Sequence, residues 1–111
     1  MGGYIQVITT LDSKEKAREI ANLLVEKRLG ACAHVIGPIF SVYRWKGEIE
    51  SAEEWLCTLK TEEELYEKVE KAIKDAHPYE VPEIVCFSIT GGSSEYLSWI
   101  SHETGNKPEK L

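Results

Sequence analysis

The sequence predicts an α+β fold in which two long helices lie on one face of a four-stranded antiparallel sheet. Two observations carry this reading. β-rich segments and stretches of helical apolar periodicity follow one another in the order β-α-β-β-α-β. The second and third β-rich segments are joined only by a short stretch containing a glycine, as in a hairpin.

"YIQVITT" (4–10) supplies the first strand, being rich in β-branched and aromatic residues. In "LDSKEKAREIANLLVEKRLG", Ala17, Ile20, Ala21 and Leu24 recur at helical spacing. Asp12 and Glu15 have capping-box spacing, and Gly30 stands where a helix stop is expected. "ACAHVI" and "IFSVYRW" read as extended segments interrupted at Gly37-Pro38, where a bulge or bend is expected. "KGE" offers the reversal and "AEEWLCTLK" the return strand, so 31–60 form a hairpin long enough to outreach a small domain. Thr61 and Glu64 offer a second capping box. Leu65, Val69, Ala72, Ile73 and Ala76 mark the buried face of the second helix. Pro78 ends it, because the ring lacks an N–H and pushes His77 out of the helical region. "EIVCFSI" (83–89) is the fourth strand, "GGSSEYLSWISHE" a loop and short helix, and "TGNKPEKL" a polar tail. Right-handed crossovers then give a ferredoxin-like sheet with a long hairpin between its second and third strands and an added C-terminal helix. The 111 residues fit one domain, 1–111, with no linker, repeat or low-complexity stretch.

Both long helices fall on one face, yet the strands carry apolar residues on two. Trp55, Cys57 and Leu59 alternate with Leu56 and Thr58, and Val42 and Arg44 with Tyr43 and Trp45. A sheet face left bare in this way is expected to be covered by copies of the same chain.

The net charge of −6 argues against a sequence-independent grip on nucleic acid, which needs clustered Lys and Arg. No apolar run is long enough to span a bilayer, so no membrane partner is expected. "MGGYIQVITT" has neither the basic start nor the cleavage site of a signal peptide, and the protein reads as cytoplasmic. Cys32, Cys57 and Cys86 are odd in number and dispersed, which suits reduced thiols and excludes a four-cysteine zinc site. There is no G-x-G-x-x-G, P-loop or G-x-S-x-G, so the chain reads as a non-enzyme with no organic cofactor.

Candidate chemistry concentrates in three places. "HPYEVPEI" (77–84) holds His77, Tyr79, Glu80 and Glu83 between and beside two stiffening prolines. Along an extended path His77, Glu80 and Glu83 stand roughly 9 Å apart per step of three residues, so a metal there needs help from another subunit. The competing reading is that His77 caps free helix carbonyls and Tyr79 packs its ring with the hydroxyl at the rim. Cys32 and His34 alternate on a strand and can meet one soft metal; against this, a strand cysteine is more often a small hydrophobe. Tyr43, Trp45 and Lys60, with Tyr79, Glu80 and Glu83, can line a cleft where subunits join and take a small ligand; the alternative is that the aromatics only anchor the interface. Cys57 and Cys86 are expected in the core and His102 in solvent. The Glu48, Glu50, Glu53 and Glu54 run attracts cations only loosely.

"EKRLGACAHVI", "SVYRWKGEIE", "LKT", "HPYEVPEI" and "EYLSWI", in this order and spacing, resemble the CutA family of divalent-cation tolerance proteins. The resemblance spans roughly residues 4–100. It implies a ferredoxin-like subunit in a homotrimer whose hairpins extend across neighbours, architecturally similar to the PII signalling proteins. It also implies a role in metal tolerance with a divalent cation, copper first, as the bound ion. The family's proposed copper ligands are a first-strand cysteine and two adjacent histidines before Pro-Tyr. His77 matches the second histidine, while Ala76 and Thr9 stand at the other two positions. The resemblance leaves a second role open, that of a PII-like signalling or adaptor trimer with a small ligand in its clefts and a protein partner.

Overall fold

The structure, a computed structural model, describes residues 3–105. Its elements are strand β1 (Tyr4–Leu11), helix α1 (Lys14–Glu26), strands β2 (Cys32–Trp45) and β3 (Glu48–Glu62), helix α2 (Tyr66–Ala76), strand β4 (Ile84–Ile89) and helix α3 (Ser94–Glu103). The sheet runs β2-β3-β1-β4 with every neighbouring pair antiparallel, the arrangement expected of a ferredoxin-like α+β fold. The core lies between this sheet and the two long helices. Ile5, Val7, Leu11, Cys57 and Leu59 on the sheet meet Ala17, Ile20 and Leu24 of α1 and Val69 and Ile73 of α2. Full burial of each large aliphatic side chain contributes roughly 1.5–3 kcal/mol.

The helix ends are built differently from the expectation. Ser13, not Asp12, caps α1, its hydroxyl accepting from the Lys16 N–H at 3.1 Å. At the other end Arg28 takes the left-handed conformation (φ 60°), and Leu29 N–H reaches the Leu24 carbonyl at 2.9 Å while Arg28 N–H reaches that of Val25. This closes the last turn as a Schellman motif without glycine. Gly30 is needed for another reason. A Cβ there would lie 2.1 Å from Cδ1 of the core residue Leu59. Thr61 caps nothing either. It is the penultimate residue of β3, fully buried, and its hydroxyl donates to the Leu29 carbonyl at 2.7 Å. A 3-10 turn, Glu63–Leu65, leads into α2 instead. Pro78 ends α2 as expected, with His77 extended (φ −83°, ψ 137°).

The hairpin turns at Lys46-Gly47, both at positive φ (52° and 84°), as a two-residue turn that matches strand twist requires. The strands it joins are 14 and 15 residues long, and the molecule measures 52 Å along its longest axis against 25 and 22 Å across. The register of β2 on β3 shifts between Ile36 and Ile39: Ile36 faces Leu56, but Ile39 faces Glu54. Two residues, Gly37 and Pro38, therefore oppose the single Trp55, which is a β-bulge. The bulge exchanges the faces of β2. Cys32, His34 and Ile36 lie on the side away from the long helices, and beyond the bulge Ile39, Ser41, Tyr43 and Trp45 take that side.

α3 does not join the other helices. Tyr4 and Glu62 alternate with the core-facing Ile5 and Thr61, and both point to α3. The Tyr4 hydroxyl lies 2.6 Å from Ser101 Oγ, which donates to Glu62 at 3.1 Å; Thr104 donates to Glu62 at 2.8 Å. Ile100 and Thr104 are fully buried here, so Thr104 belongs to the packed structure and not to a polar tail; the tail beyond residue 105 lies outside the described residues. The rest of this face keeps Ile36, Val85 and Phe87 exposed, as are Phe40, Val42 and Ile49 on the hairpin. Cys86 is exposed on the edge strand and not in the core, whereas Cys57 is buried.

A methyl group added at Gly37 would meet Trp55 Cδ1 at 2.4 Å. Gly37→Ala is predicted to cost about 1–3 kcal/mol, the range for forcing a packed side chain aside. Urea denaturation of the variant against the parent chain checks this.

Candidate functional site

The corner after α2 is fastened to the sheet by two side chains. His77 Nε2 lies 2.8 Å from the Thr10 carbonyl, and its Nδ1 accepts the Tyr79 N–H at 3.1 Å. The carbonyl can only accept, so Nε2 carries the proton and the ring is the neutral Nε2–H tautomer. Its partner is the end of β1, not the helix carbonyls of the sequence-based expectation. Both ring nitrogens are thereby engaged, and a metal at His77 would have to break one of these bonds. Desolvation lowers the pKa of His77 from the ordinary histidine value, against the Thr10 carbonyl and the carboxylates of Asp12 and Glu54, which favour the cation.

Tyr79 packs edge-on against His77, ring centroids 4.7 Å apart, and donates its hydroxyl to Glu54 at 2.7 Å. Burial and then the Glu54 carboxylate push the Tyr79 pKa well above the ordinary tyrosine range, so it remains a donor. Glu54, only 6% exposed, is not one of a loose surface run but the acceptor that anchors the corner.

Between corner and hairpin lies a cleft of about 760 Å³. Five of the six residues expected to line it are there: Tyr43, Trp45, Tyr79, Glu80 and Glu83. Lys60 does not join them, since it sits near the far end of β3, opposite Gln6 and Cys32. One chain builds this lining. Residues not foreseen are Thr10, Arg44, Val81 and Pro82, with Phe40 and Val42 adding apolar wall. Lys46 Nζ stands 5.6 Å from the Trp45 ring centroid at the hairpin tip, within cation–π range.

Potential metal ligands are scattered. Among the described residues no group of three or more His, Cys, Asp or Glu side chains comes together in a metal-binding arrangement. Thr9, at the position of the family's cysteine ligand, is buried with its hydroxyl unpartnered, and Cys57 opposes it on β3. Burial pushes the Cys57 thiol up to about 11, which keeps it protonated. Cys32 Sγ and His34 Nε2 do approach, at 3.8 Å. His102 is exposed on α3.

Sheet order, overhanging hairpin and corner cleft together define a ferredoxin-like α+β subunit of the kind found in divalent-cation tolerance proteins. The family model described as "CutA1 divalent ion tolerance protein" matches residues 5–103, and the chain belongs to that family. It is 43% identical over 99 residues to the divalent-cation tolerance protein CutA of Thermus thermophilus, covering 89% of this chain and 96% of that protein. It is 37% identical to the chloroplastic CutA of Arabidopsis thaliana, covering 92% of this chain but 56% of that longer one. The crystal structure of CutA1 from Oryza sativa superposes with a TM-score of 0.91 at 32% identity, covering 95% of this chain and 96% of its own. The resemblance carried by "YRWKGEIE" and "HPYEVPEI" is borne out. No helix among the described residues is long and apolar enough to cross a membrane.

Because folding favours neutral His77, the unfolded chain takes up the proton first as pH falls below 6.5, the ordinary value. The stability contribution is complete above that value and declines as pH drops toward the lowered one. Melting temperature is therefore expected to fall more steeply between about pH 7 and pH 5 in the parent chain than in His77→Asn. Parallel slopes would refute the assignment.

Proposed function

We propose that the protein is a cytoplasmic homotrimer that binds divalent cations, copper first, and acts in tolerance to them as a binding protein and not as an enzyme. One observation carries this reading: the family model covers residues 5–103, and the relatives it resembles are named for divalent-cation tolerance. Assembly is supported by the apolar residues that one chain leaves uncovered, Ile36, Val85 and Phe87 on the open sheet face and Phe40, Val42 and Ile49 on the hairpin. His77, the residue matching a family copper ligand, enters this reading only by giving up its bond to Thr10 or Tyr79.

We keep as a second reading a PII-like trimer that takes a small ligand and relays its presence to a partner, and it rests on one feature. The corner cleft has aromatic walls from Tyr43, Trp45 and Tyr79, with Arg44, Glu80 and Glu83 as charged groups, the make-up of a small-ligand site.

Expression of the chain in a copper-sensitive host is expected to raise the Cu(II) concentration it tolerates, and calorimetric titration with Cu(II) is expected to give a saturable isotherm. His77→Ala should bind as the parent does. Absence of both tolerance and binding heat would overturn the reading, and loss of binding in His77→Ala alone would restore that residue as a ligand.

A further inference from the structure

Cys32 and His34 stand two residues apart on β2, before the bulge, so both side chains leave the same side of the sheet. β2 is an edge strand, and its other neighbour position is open. In the single chain Cys32 is half-buried and His34 exposed. Sγ of Cys32 and Nε2 of His34 are 3.8 Å apart. With metal–sulfur and metal–nitrogen bonds of about 2.3 and 2.0–2.1 Å, this separation corresponds to a ligand–metal–ligand angle of about 120°. That is the angle of a trigonal site.

Two residues neighbour Cys32. Tyr96 of α3 interacts electrostatically with Cys32, and its ring lies 5.5 Å from that of Trp99. Lys60 opposes Cys32 in register on β3. The other two cysteines lack such a setting. Cys57 is buried among apolar side chains, and Cys86 opposes Val7 on the far edge strand.

We propose that Cys32 and His34 form a binding site for a soft, thiophilic cation of closed d shell, with Cu(I) as the copper state it suits. On binding, the Cys32 thiol releases its proton to solvent, and sulfur and the imidazole Nε2 each donate a lone pair to the metal; no electron is transferred. The chain supplies two of three trigonal positions. This inference rests on the metal-handling function proposed above and assigns it to a place that the family's copper ligands do not include.

The test is anaerobic competition for Cu(I) between the full-length protein and a chromophoric Cu(I) chelator, followed by the chelator's absorbance. The parent chain is expected to withdraw one Cu(I) per chain. Cys32→Ser should lose more than about a hundredfold in affinity, beyond the loss of a mere outer-shell partner, and His34→Asn about tenfold or more. Cys86→Ser and His77→Ala should bind as the parent does. Circular dichroism of each variant separates lost ligation from lost fold. Parent-like Cu(I) affinity in a folded Cys32→Ser, or loss of binding in Cys86→Ser, overturns the site. A chain that confers copper tolerance while Cys32→Ser still binds Cu(I) refutes this site and leaves the functional reading intact. Binding through Cys32 without any tolerance supports the site and refutes that reading.

Discussion

The pairing of β2 with β3, and the one extra residue it contains, is the interaction on which the rest of the structure depends. Side chains alternate along a strand, so inserting one residue reverses which of them face each side of the sheet. Gly37 and Pro38 opposite Trp55 make that insertion, and Trp55 fills the space that a larger residue at 37 would need. Before the bulge the open side receives Cys32, His34 and Ile36; after it, Tyr43 and Trp45 share that side with Glu54. A straight ladder would have turned Tyr43 and Trp45 away from the corner. The same bulge thus separates the hairpin's base, where sulfur and imidazole meet, from its tip, where the aromatic cleft opens.

The corner depends on that arrangement in turn. Pro78 and Pro82 stiffen the path but do not say where it lies; His77 and Tyr79 do, by binding the Thr10 carbonyl and the Glu54 carboxylate. A carboxylate this buried is tolerable because it accepts a short hydrogen bond from a hydroxyl that stays protonated. Sequence pattern suggested that "HPYEVPEI" was either a site or a connector. Its histidine and tyrosine serve the connection, and the exposed Glu80 and Glu83 remain for the cleft.

Much of this was legible from local pattern. Alternation and helical periodicity report one residue's neighbours in the chain, and they located the four strands, the three α-helices, the bulge and the proline stop. They did not report packing across the fold. Asp12 has capping-box spacing, yet the cap is Ser13. Gly30 reads as a helix stop, although Arg28 takes the left-handed conformation and Gly30 yields room to Leu59. Thr61 and Thr104 read as polar boundary residues, yet each is buried with its hydroxyl bonded to a carbonyl or carboxylate distant in sequence. Lys60 was assigned to the cleft because strand length does not reveal which end of a sheet faces the corner.

What the chain cannot do alone is cover its own surface. Hairpin strands of 14 and 15 residues extend past the helices, and Phe40 is left 78% exposed. Copies closing over the open face and the hairpin would bury this surface at roughly 25 cal/mol per Å² of apolar area. Sedimentation equilibrium at micromolar concentration tests this most directly. The account predicts a single species of three chains, and a stable monomer under the same conditions would contradict it.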